Sequence, residues 1–476
     1  MSRMLRLWNM VSLLFRSSDI KFGSEENSVR TILVANRGEI ALRIQRACRL
    51  LGFRVAQVYS EADKESLPVK LADISVCIGK PAASSSYLNC LAILGAAKLT
   101  EADAIHPGYG FLSERAEFVD LVEAEGLTFI GPTAEQIRFM GEKSKAREMA
   151  QKAKVPTVPG SPSILNTSKE AQAISSDIGY PVLLKASAGG GGRGMRVVNE
   201  ASELEAAFSE ASSEAKLAFG DGSLYLEKYL LDPQHIEVQV LCDGQTAVTI
   251  GERDCSTQRR RQKVIEEGPS PTLNNDVREA LLDSARRLCT AISYRNAGTI
   301  EYVVKDGQFY FMEMNTRIQV EHPVTEAISG IDLVARQIEI AFHGPGCLKD
   351  LPLNVSSRGH AIECRINAED PRNSFMPSPG RIESMQLPGG PGVRIDSHIF
   401  PGYLVPPFYD SMLAKIICWA ETRDLAIQRS LAALNEVSVK GVQTNIQFLR
   451  NVLRSDVFRS GAMHTQYVER ELESLL

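Results

Sequence analysis

Residues 185–198 read KASAGGGGRGMRVV, and this stretch decides between two ways of binding a phosphate group. The spacing Gly189-x-Gly191-x-x-Gly194 matches the dinucleotide-binding fingerprint, which needs a strand before the glycines and a helix directly after them. Residues 181–186 (PVLLKA) form a candidate strand, but residues 195–198 (MRVV) are extended in pattern as well. We therefore predict that the glycines join two strands, which excludes the dinucleotide fingerprint here. The Walker pattern also fails, because no Gly-Lys-Ser/Thr follows.

A glycine-rich loop between two strands suits a phosphate chain for a different reason. Consecutive glycines cost backbone entropy on folding, but their N–H groups can approach phosphate oxygens with no Cβ atom in the way. Lys185 before the loop and Arg193 within it add positive charge. We predict a lid over a phosphate chain, with a flexible surface hairpin as the alternative.

The sequence before the loop predicts a parallel sheet that ends near residue 140. Short apolar runs alternate with amphipathic helical patterns, an order typical of a parallel sheet covered by helices. The predicted strands are TILVA (31–35), RVAQVYS (54–60), DISVCIG (73–79), ADAIHP (102–107) and LTFIGP (127–132).

The sequence after the loop changes to an α+β pattern that is mostly antiparallel. A helical pattern covers about 275–293, and residues 345–360 look like a connection. Strands and a helix near 423–435 follow it. The predicted strands are LYLEKY (224–229), HIEVQVL (235–241), AVTIGERD (247–254), AGTIEYVVK (297–305), QFYFMEM (308–314), HAIECRI (360–366) and KIICWA (415–420).

Residues 313–321 (EMNTRIQVE) carry a polar side chain at every odd position. In an extended chain successive side chains alternate between faces, so all five polar groups would share one face. A half-exposed strand is the alternative interpretation. Carboxylate and amide oxygens suit Mg²⁺, which prefers oxygen ligands and substrate phosphates. The five residues are Glu313, Asn315, Arg317, Gln319 and Glu321.

Glu301, on the preceding strand, is a candidate partner for Glu313 at a metal ion. A two-residue turn at Asp306-Gly307 would pair Glu301 with Met312 and place the two carboxylates on opposite faces. A three-residue loop with a bulge pairs Glu301 with Glu313 instead. We predict that the two carboxylates share a metal, and hence that the loop contains an odd number of residues.

Two further patterns add polar groups to this region. His235, Glu237 and Gln239 alternate along one strand and would share a face. Residues 259–263 concentrate the cations Arg259, Arg260, Arg261 and Lys263. Such a run is usually a solvated face, but in a chain of negative net charge it can instead collect anionic substrates.

Composition narrows the class of protein. The net charge of −5 gives no support to a nucleic-acid surface, and no apolar run is long enough to span a membrane. The nine cysteines form no Cys-x-x-Cys pair, which favours a reducing compartment. Residues 1–29 form an extension whose start is basic and acid-free; it is either a disordered segment or a transit-type presequence. We predict a cytoplasmic protein, or one of an organelle matrix if the extension is a presequence.

Seven motifs together resemble biotin carboxylase, the ATP-grasp component of biotin-dependent carboxylases. They stand in the order found in that family, and the resemblance covers about residues 30–470. The motifs are ILVANRGEIALRI (32–44), HPGYGFLSE (106–114), KASAGGGGRGMRVV (185–198), ERDCSTQRRRQK (252–263), EMNTRIQVEHPVTE (313–326), ECRINAEDP (363–371) and PPFYDSMLAK (406–415).

The resemblance implies an architecture and a reaction. The N-terminal parallel-sheet (Rossmann-like) domain would cover 30–142, the ATP-grasp domain 143–343 with a lid at about 158–230, and a C-terminal α+β domain 358–470. Bicarbonate would attack the γ-phosphate of ATP, with Mg²⁺ or Mn²⁺ (two ions) bound, to give carboxyphosphate. Its breakdown would give CO₂, which the ureido N1 of carrier-bound biotin captures.

The resemblance also assigns residues to each part of the site. Glu321 would be the general base for bicarbonate, and Arg365 would stabilise the enolate-like ureido oxygen. Tyr109 and Asp410 would shape the biotin pocket, with a packing role as the alternative. The ATP contacts would be Lys143, Lys185, Gly190, Gly191, Gly192, Glu227, Leu230, His235, Gln258 and Glu301. The metal ligands would be Glu301, Glu313 and Asn315. The bicarbonate contacts would be Lys263, Arg317, Gln319 and Val320.

One position departs from the family pattern. Arg261 stands where the family usually has His, and an arginine cannot lose its charge near pH 7. Nucleotide affinity or its pH dependence is expected to differ as a result.

The resemblance implies separate partners. The Met-Lys-Met biotinylation motif is absent from the sequence, so we expect a subunit that needs a biotin carboxyl carrier protein and carboxyltransferase subunits. We also expect a homodimer, as in bacterial members. Acetyl-CoA carboxylase is the favoured setting, and pyruvate, propionyl-CoA and methylcrotonyl-CoA carboxylases are the alternatives. Two rival functions are a carbamoyl-phosphate synthase half, which would lack Arg365, and a nucleotide-binding regulator, which would lack the metal ligands or the base.

Overall fold

The computed structural model describes residues 29–186 and 194–476. Residues 1–28, which make up nearly all of the predicted extension, lie outside the described residues. So do Gly190, Gly191 and Gly192, which were assigned to ATP binding, together with Arg193.

The described chain contains the following strands and α-helices. The strands are β1 Thr31–Val34, β2 Arg54–Ser60, β3 Ile74–Gly79, β4 Ala104–His106, β5 Thr128–Phe129, β6 Val182–Ala186, β7 Met195–Val198, β8 Leu224–Lys228, β9 Gln234–Asp243, β10 Ala247–Arg259, β11 Gln262–Gly268, β12 Arg295–Lys305, β13 Gln308–Asn315, β14 His360–Asn367, β15 Glu369–Asp370, β16 Met376–Pro377, β17 Gly380–Arg381, β18 Ser384–Gln386, β19 Val393–Ser397, β20 Leu404–Val405, β21 Met412–Ala420 and β22 Ser438–Lys440. The helices are Gly38–Leu50, Leu67–Leu71, Cys90–Leu99, Ala116–Ala124, Ala134–Gly141, Lys143–Lys152, Ser168–Ile178, Leu204–Phe219, Asn275–Ala291, His322–Ser329, Leu333–His343, Arg423–Glu436, Ile446–Arg454, Asp456–Arg459, Tyr467–Arg470 and Leu472–Leu475.

The first sheet is parallel, with the strand order β3-β2-β1-β4-β5. All four residues of β1 are buried, as expected for a central parallel strand covered on both faces. The helix Gly38–Leu50 follows β1 directly and buries most of its length. The predicted α/β start of the chain is confirmed, and it places Glu39 at the beginning of a buried helix.

The largest sheet has eight strands in the order β13-β12-β9-β10-β11-β14-β21-β19, and every neighbouring pair is antiparallel. The predicted antiparallel α+β character is therefore confirmed. The pairing of β11 with β14 joins the middle of the chain to its last third, with Glu266 opposite Glu363. Polar residues from both regions consequently share one sheet face.

A small three-stranded sheet, β7-β6-β8, carries the glycine-rich loop. Lys185 on β6 pairs with Met195 on β7, and the two strands are antiparallel. The prediction that the glycines connect two strands is confirmed. Gly194 has φ +67°, and a Cβ there would lie 2.9 Å from the Cβ of Ala186, so this position needs glycine on both grounds.

The register of the β12–β13 hairpin differs from the one predicted from the sequence. Its turn has two residues, Asp306 (φ 50°) and Gly307 (φ 75°), and Lys305 pairs with Gln308 across it. The prediction of an odd-numbered loop is wrong. Glu301 nevertheless pairs with Glu313, because a bulge interrupts the ladder further along β13.

Core packing explains the position of the bulge. Phe311 pairs with Tyr302 and is 5% exposed, and Met314, three residues later, is 5% exposed as well. Residues three apart in a regular strand point to opposite faces, so one extra residue must lie between them. Met312, which is exposed, is that residue, and Glu313 then faces the same side as Glu301.

The second half of the predicted carboxylate strand is not a strand. β13 ends at Asn315, and residues 316–321 form an irregular segment before the helix His322–Ser329. Strand alternation therefore does not place Arg317, Gln319 and Glu321, and their positions depend on side-chain contacts. Within the described residues, no helix is long and apolar enough to cross a membrane.

We predict that deletion of Met312 is tolerated, because it removes the bulged residue and keeps Phe311 opposite Tyr302 and Glu313 opposite Glu301. The expected loss is about 1 kcal/mol of unfolding free energy, measured by equilibrium urea unfolding.

Deletion of Tyr310 is the matched control. It keeps Glu301 opposite Glu313 but moves Phe311 to the opposite face, so its loss should be larger by about 2–3 kcal/mol. Equal losses for the two deletions would contradict the bulge assignment.

Candidate active site

The ammonium group of Lys263, on β11, lies among three buried carboxylates. Its Nζ atom is 2.6 Å from Glu237 Oε2, 2.6 Å from Glu321 Oε1 and 3.0 Å from Glu301 Oε1. Gln319 Oε1 lies 3.2 Å away. The sequence prediction that Lys263, Gln319 and Glu321 share a site is consistent with these contacts, although a strand does not align them.

Two of these carboxylates stand directly opposite each other. Glu237 on β9 pairs with Glu301 on β12, and like charges across a strand pair repel. Lys263 offsets this repulsion from one side. Arg253 does so from the other, with its Nε atom 2.6 Å from Glu237 Oε1.

Arg253 is fully buried, and its donors are well supplied with acceptors. Its Nη1 atom donates to Gln239 Oε1 at 2.9 Å and to Thr325 Oγ1 at 2.7 Å. A buried guanidinium is tolerated when such hydrogen bonds replace water. Arg253 thus holds Glu237, so that Lys263 meets a fixed carboxylate.

Glu321 connects this cluster to β14. Its Oε1 atom accepts from Lys263, and its Oε2 atom accepts from Arg365 Nη2 at 2.9 Å. Burial opposes ionisation, but the charges of Lys263, Arg365 and Arg253 hold the pKa of Glu321 well below its usual range. Glu321 is therefore ionised near neutral pH and has no proton of its own to lose.

The cations of the cluster keep their charge. Burial lowers the pKa of Lys263, but the carboxylates of Glu237, Glu301 and Glu321 reverse the effect and raise it well above the usual value. The pKa of Arg365 is raised by Glu266 and Glu321 in the same way, against the effect of burial. Lys263, Arg365 and Glu321 are therefore all charged at pH 7.

Glu301 also faces the predicted metal site. Its Oε2 atom lies 3.2 Å from His235 Nε2, and its Oε1 atom accepts from Asn315 Nδ2 at 2.9 Å. The pKa of Glu313 is raised by burial and by the negative charge of Glu301. Two carboxylates that repel each other beside an amide fit an oxygen-preferring cation such as Mg²⁺.

Two other groups of potential metal ligands lie within 4.8 Å of one another: His235 with Glu237 and Glu301, and Glu237 with Cys255 and Glu321. The ammonium of Lys263 contacts carboxylates of both groups. It supplies the positive charge there, so neither group is our candidate for a metal site.

Of the residues assigned to ATP, His235 and Gln258 lie together, with Gln258 Nε2 2.9 Å from His235 Nδ1. Lys185 forms an ion pair with Glu227, which also accepts from Arg147 Nη1 at 2.9 Å. Two more assigned residues stand at the ends of elements: Lys143 begins a helix near Glu313, and Leu230 follows β8.

Arg317 and Val320, assigned to bicarbonate, each bond to a residue that is far away in sequence. Arg317 Nε donates to Glu114 Oε2 at 2.8 Å, and its Nη2 donates to Asn315 Oδ1 at 3.1 Å. The carbonyl oxygen of Val320 accepts from Lys415. Both residues thus border the Lys263 cluster without bonding to its ammonium group.

Residues assigned to biotin lie near one another. The pKa of Tyr109 is raised far above its usual value by burial and by Glu39, and the charges of Asp410 and Arg365 also act on it. Asp410 is exposed, whereas Arg365 is largely covered. The grouping of these residues around Arg365 is consistent with a pocket next to Glu321.

The basic run 259–263 does not act as a unit. Arg259 lies 3.8 Å above the ring of Phe375, and Arg261 contacts the sulfur of Met195. Arg260 and Arg261 form the two-residue turn between β10 and β11, with φ of 47° and 64°. Of this run, only Lys263 reaches the carboxylates.

Several residues that hold the site together were not predicted from the sequence. Five of them are ordinary charged residues that are marked only by their burial in a strand or helix, and Glu114 is an exposed residue in a turn. One of them could have been predicted from strand alternation: Glu363 and Arg365 are two residues apart on β14, so their side chains share a face. The missed residues are Glu39, Glu114, Arg253, Glu266, Glu363 and Lys415.

Family models match three consecutive segments of the chain. They are the biotin carboxylase N-terminal domain over residues 28–137, the carbamoyl-phosphate synthase L chain ATP-binding domain over 142–345 and the biotin carboxylase C-terminal domain over 363–470.

Individual relatives agree with these matches. The biotin carboxylase of Haemophilus influenzae is 51% identical over 93% of this chain and 98% of its own length. Biotin carboxylase 2, chloroplastic, of Populus trichocarpa is 50% identical over 93% of this chain and 84% of its own length.

Solved structures show the same likeness. A biotin carboxylase beta-gamma-ATP complex from Campylobacter jejuni has a TM-score of 0.86 at 47% identity, covering 93% of this chain and 99% of that one. The biotin carboxylase domain dimer of the Hydrogenobacter thermophilus 2-oxoglutarate carboxylase, in complex with MgADP, ADP and bicarbonate, has a TM-score of 0.85 at 45% identity, covering 95% and 99%. The biotin carboxylase subunit of a pyruvate carboxylase has a TM-score of 0.84 at 47% identity, covering 94% and 99%.

The match of residues 142–345 to an ATP-binding domain and the similarity to biotin carboxylases identify the chain as an ATP-dependent ligase. The chain belongs to the biotin carboxylase family.

Glu266 gives a pH-dependent prediction for this site. Its pKa is raised to about 7, because burial disfavours the carboxylate, an effect that Arg365 opposes and Glu321 reinforces. A folded-state pKa above the ordinary value of 4.5 means that the stabilising contribution is complete below about pH 4.5 and is lost as pH rises through about 7. The unfolding free energy of the wild type, relative to Glu266→Gln, should fall by on the order of 2 kcal/mol between pH 5 and 8 and level off above that range.

Asp243→Asn is the control, because backbone N–H groups overcome burial and lower the pKa of Asp243. A lowered pKa contributes stability above the unfolded-state value, so this comparison should be flat between pH 5 and 8. A flat profile for Glu266→Gln as well would contradict the raised pKa.

Proposed function

We propose that the chain carboxylates biotin on a separate carrier protein, using ATP and bicarbonate through carboxyphosphate. The observation that carries the proposal is the position of Glu321, whose two carboxylate oxygens meet Lys263 on one side and Arg365 on the other. The Glu321 carboxylate can therefore contact both an anion bound beside Lys263 and a second substrate bound beside Arg365. Family membership supports the assignment.

The nucleotide would lie between the small β7-β6-β8 sheet and the Glu301–Glu313 pair. Relatives in complex with beta-gamma-ATP and with MgADP support ATP and Mg²⁺ as ligands of this chain. Glu301, Glu313 and Asn315 would hold the ion, and Mg²⁺ supplies neutralisation of phosphate charge when bound. The predicted second ion and the Mn²⁺ alternative stay predictions.

On the proposed nucleotide side of the site, two cations share one carboxylate. Lys185 and Arg147 both contact Glu227. For Lys185 to reach a phosphate, its ammonium must leave or share the Glu227 carboxylate. We infer that Arg147 keeps this carboxylate neutralised when Lys185 turns to the nucleotide.

Bicarbonate would lie beside Lys263, Arg317, Gln319 and Val320, with Glu321 as its base. The bonds from Lys263 and Arg365 lower the basicity of Glu321, since they stabilise its ionised form. Bicarbonate that takes one of these donors for itself raises the basicity of Glu321 as it binds. The base thus becomes competent when its substrate is present.

Biotin would approach Arg365 from the Tyr109 and Asp410 side. Arg365 is a planar donor that can hydrogen-bond the ureido oxygen as negative charge develops there. Phosphate released in the first step would take the N1 proton. Arg365 also forms an ion pair with Glu266, whose pKa burial raises to about 7, so both Glu266 and Glu321 are its carboxyl partners.

The setting that we propose from the family resemblance is acetyl-CoA carboxylase and fatty acid synthesis, with a biotin carboxyl carrier protein and carboxyltransferase subunits as partners. Similarity to a pyruvate carboxylase subunit supports the alternative setting. The dimer described for the Hydrogenobacter relative supports a homodimer. Location stays a prediction: the cytoplasm, or an organelle matrix if residues 1–29 are a transit peptide.

The proposal is tested by phosphate release from MgATP with free biotin and bicarbonate. Release should require bicarbonate and rise with biotin. Glu321→Gln should reduce bicarbonate-dependent release by about 10²–10⁴-fold, because the base is lost while shape is kept. Asp243→Asn, a buried carboxyl at the far end of β9, should keep wild-type turnover.

Wild-type release that ignores both bicarbonate and biotin would refute the proposed function. Release that depends on bicarbonate and ignores biotin would favour the second candidate, a carbamoyl-phosphate synthase-like reaction. The match of residues 142–345 to the carbamoyl-phosphate synthase L chain ATP-binding domain is the observation that favours this candidate.

Arg365→Ala should remove biotin carboxylation, by about 10²-fold or more, and leave much of the bicarbonate-dependent phosphate release. The readout is labelled carboxybiotin from labelled bicarbonate, measured beside phosphate. Arg423→Ala is the matched control, because Arg423 also forms a buried pair, with Glu267, but does not contact Glu321. Equal loss of both activities in Arg365→Ala would contradict the role of Arg365.

A further inference from the structure

A chain of buried polar contacts joins Tyr109 to the segment that carries Glu321. The Tyr109 hydroxyl donates to Glu39 Oε1, and Lys415 Nζ lies 3.0 Å from the same oxygen. Lys415 Nζ also donates to the carbonyl oxygen of Val320 at 2.8 Å. The contacts connect the loop after β4, the helix Gly38–Leu50, strand β21 and residues 316–321.

The two charged members of this chain are shielded from water. The side chains of Lys415 and Glu39 are 0% and 1% exposed. Burial lowers the pKa of Lys415, but Glu39, Glu363 and Asp396 outweigh that effect and raise it. Lys415 is therefore a charged donor at neutral pH, and charge-assisted bonds of this kind are stronger than neutral ones.

The acceptor of Lys415 has a special place in the chain. The Val320 carbonyl belongs to the peptide group whose N–H is that of Glu321. This peptide lies between the end of β13 and the start of the helix His322–Ser329, so no strand ladder holds it. Lys415 thus fixes the backbone from which the Glu321 side chain projects.

The other end of the chain borders the biotin side of the site. The charges of Arg365 and Asp410 act on the Tyr109 hydroxyl. A ligand that binds beside Arg365 would change the charge that this hydroxyl faces. Any change in its bond to Glu39 alters the charge that Lys415 faces, and so the strength of the Lys415 bond to Val320.

We propose that Lys415 and Glu39 are positioning residues that couple occupancy beside Tyr109 to the placement of Glu321. The proposal rests on the proposed function, since it assigns Glu321 to bicarbonate and the Tyr109 side to biotin. Neither Lys415 nor Glu39 touches a reacting atom; both act through the Val320–Glu321 peptide.

The test is Lys415→Met in the full chain, which keeps the length of the side chain and removes its charge. Phosphate release from MgATP is measured against bicarbonate concentration, with and without free biotin. We expect the KM for bicarbonate to rise and the stimulation by biotin to fall by about tenfold, with the KM for ATP changed less than about twofold. A defect in folding alone would lower all rates together and leave the ratio with and without biotin unchanged.

Arg450→Met is the matched control, because Arg450 also donates to a backbone carbonyl, that of Leu434, in a helix away from the site. Glu39→Gln is the second variant, to be used if Lys415→Met does not fold. It removes the negative charge of Glu39 and keeps the shape of the side chain. It should reduce biotin stimulation in the same direction by a smaller factor.

The outcomes separate this inference from the proposed function. A folded Lys415→Met or Glu39→Gln with wild-type bicarbonate KM and wild-type biotin stimulation would overturn the inference. Failure of the wild type to respond to biotin or bicarbonate would overturn the proposed function instead.

Discussion

The site depends on one constraint: three carboxylates from different elements must lie together out of water. Glu237 and Glu301 face each other across β9 and β12, and Glu321 approaches from the start of a helix. Their repulsion would exclude them from a core unless cations neutralise them. Lys263 contacts all three, and Arg253 holds Glu237 from behind. The strands can converge at this point because these cations are present. The same ion pairs therefore stabilise the sheet and fix the geometry of the site.

The eight-stranded sheet extends this arrangement into the last third of the chain. Because β11 pairs with β14, Lys263 and Arg365 are brought to opposite oxygens of Glu321. The charged cluster that we propose for bicarbonate therefore shares a carboxylate with the part of the site that we propose for biotin. The connection is made by backbone pairing, and it requires no contact between distant loops.

Local patterns predicted much of the fold and part of the site. The alternation of strands and helices, the strand on each side of the glycines and the alternating His235–Glu237–Gln239 face could all be predicted from the sequence, because each depends on near neighbours. The bulge at Met312 could not, since it reflects packing of Phe311 against Tyr302 on another strand. The end of β13 at Asn315 was also missed, because polar alternation continues through residues that leave the sheet.

The sequence by itself determined the classes of element, the family and the identity of most charged groups in the site. Only the tertiary structure decided which of those groups are ionised and which partner each one has. Glu266 and Glu321 have the same side chain, yet one has a pKa raised to about 7 and the other a pKa held well below the usual range. The physical reason is that burial and neighbouring charge set a pKa, and both depend on residues that are distant along the chain. For the same reason the sequence did not predict a role for Lys415, because its partner, the carbonyl group of Val320, is 95 residues away.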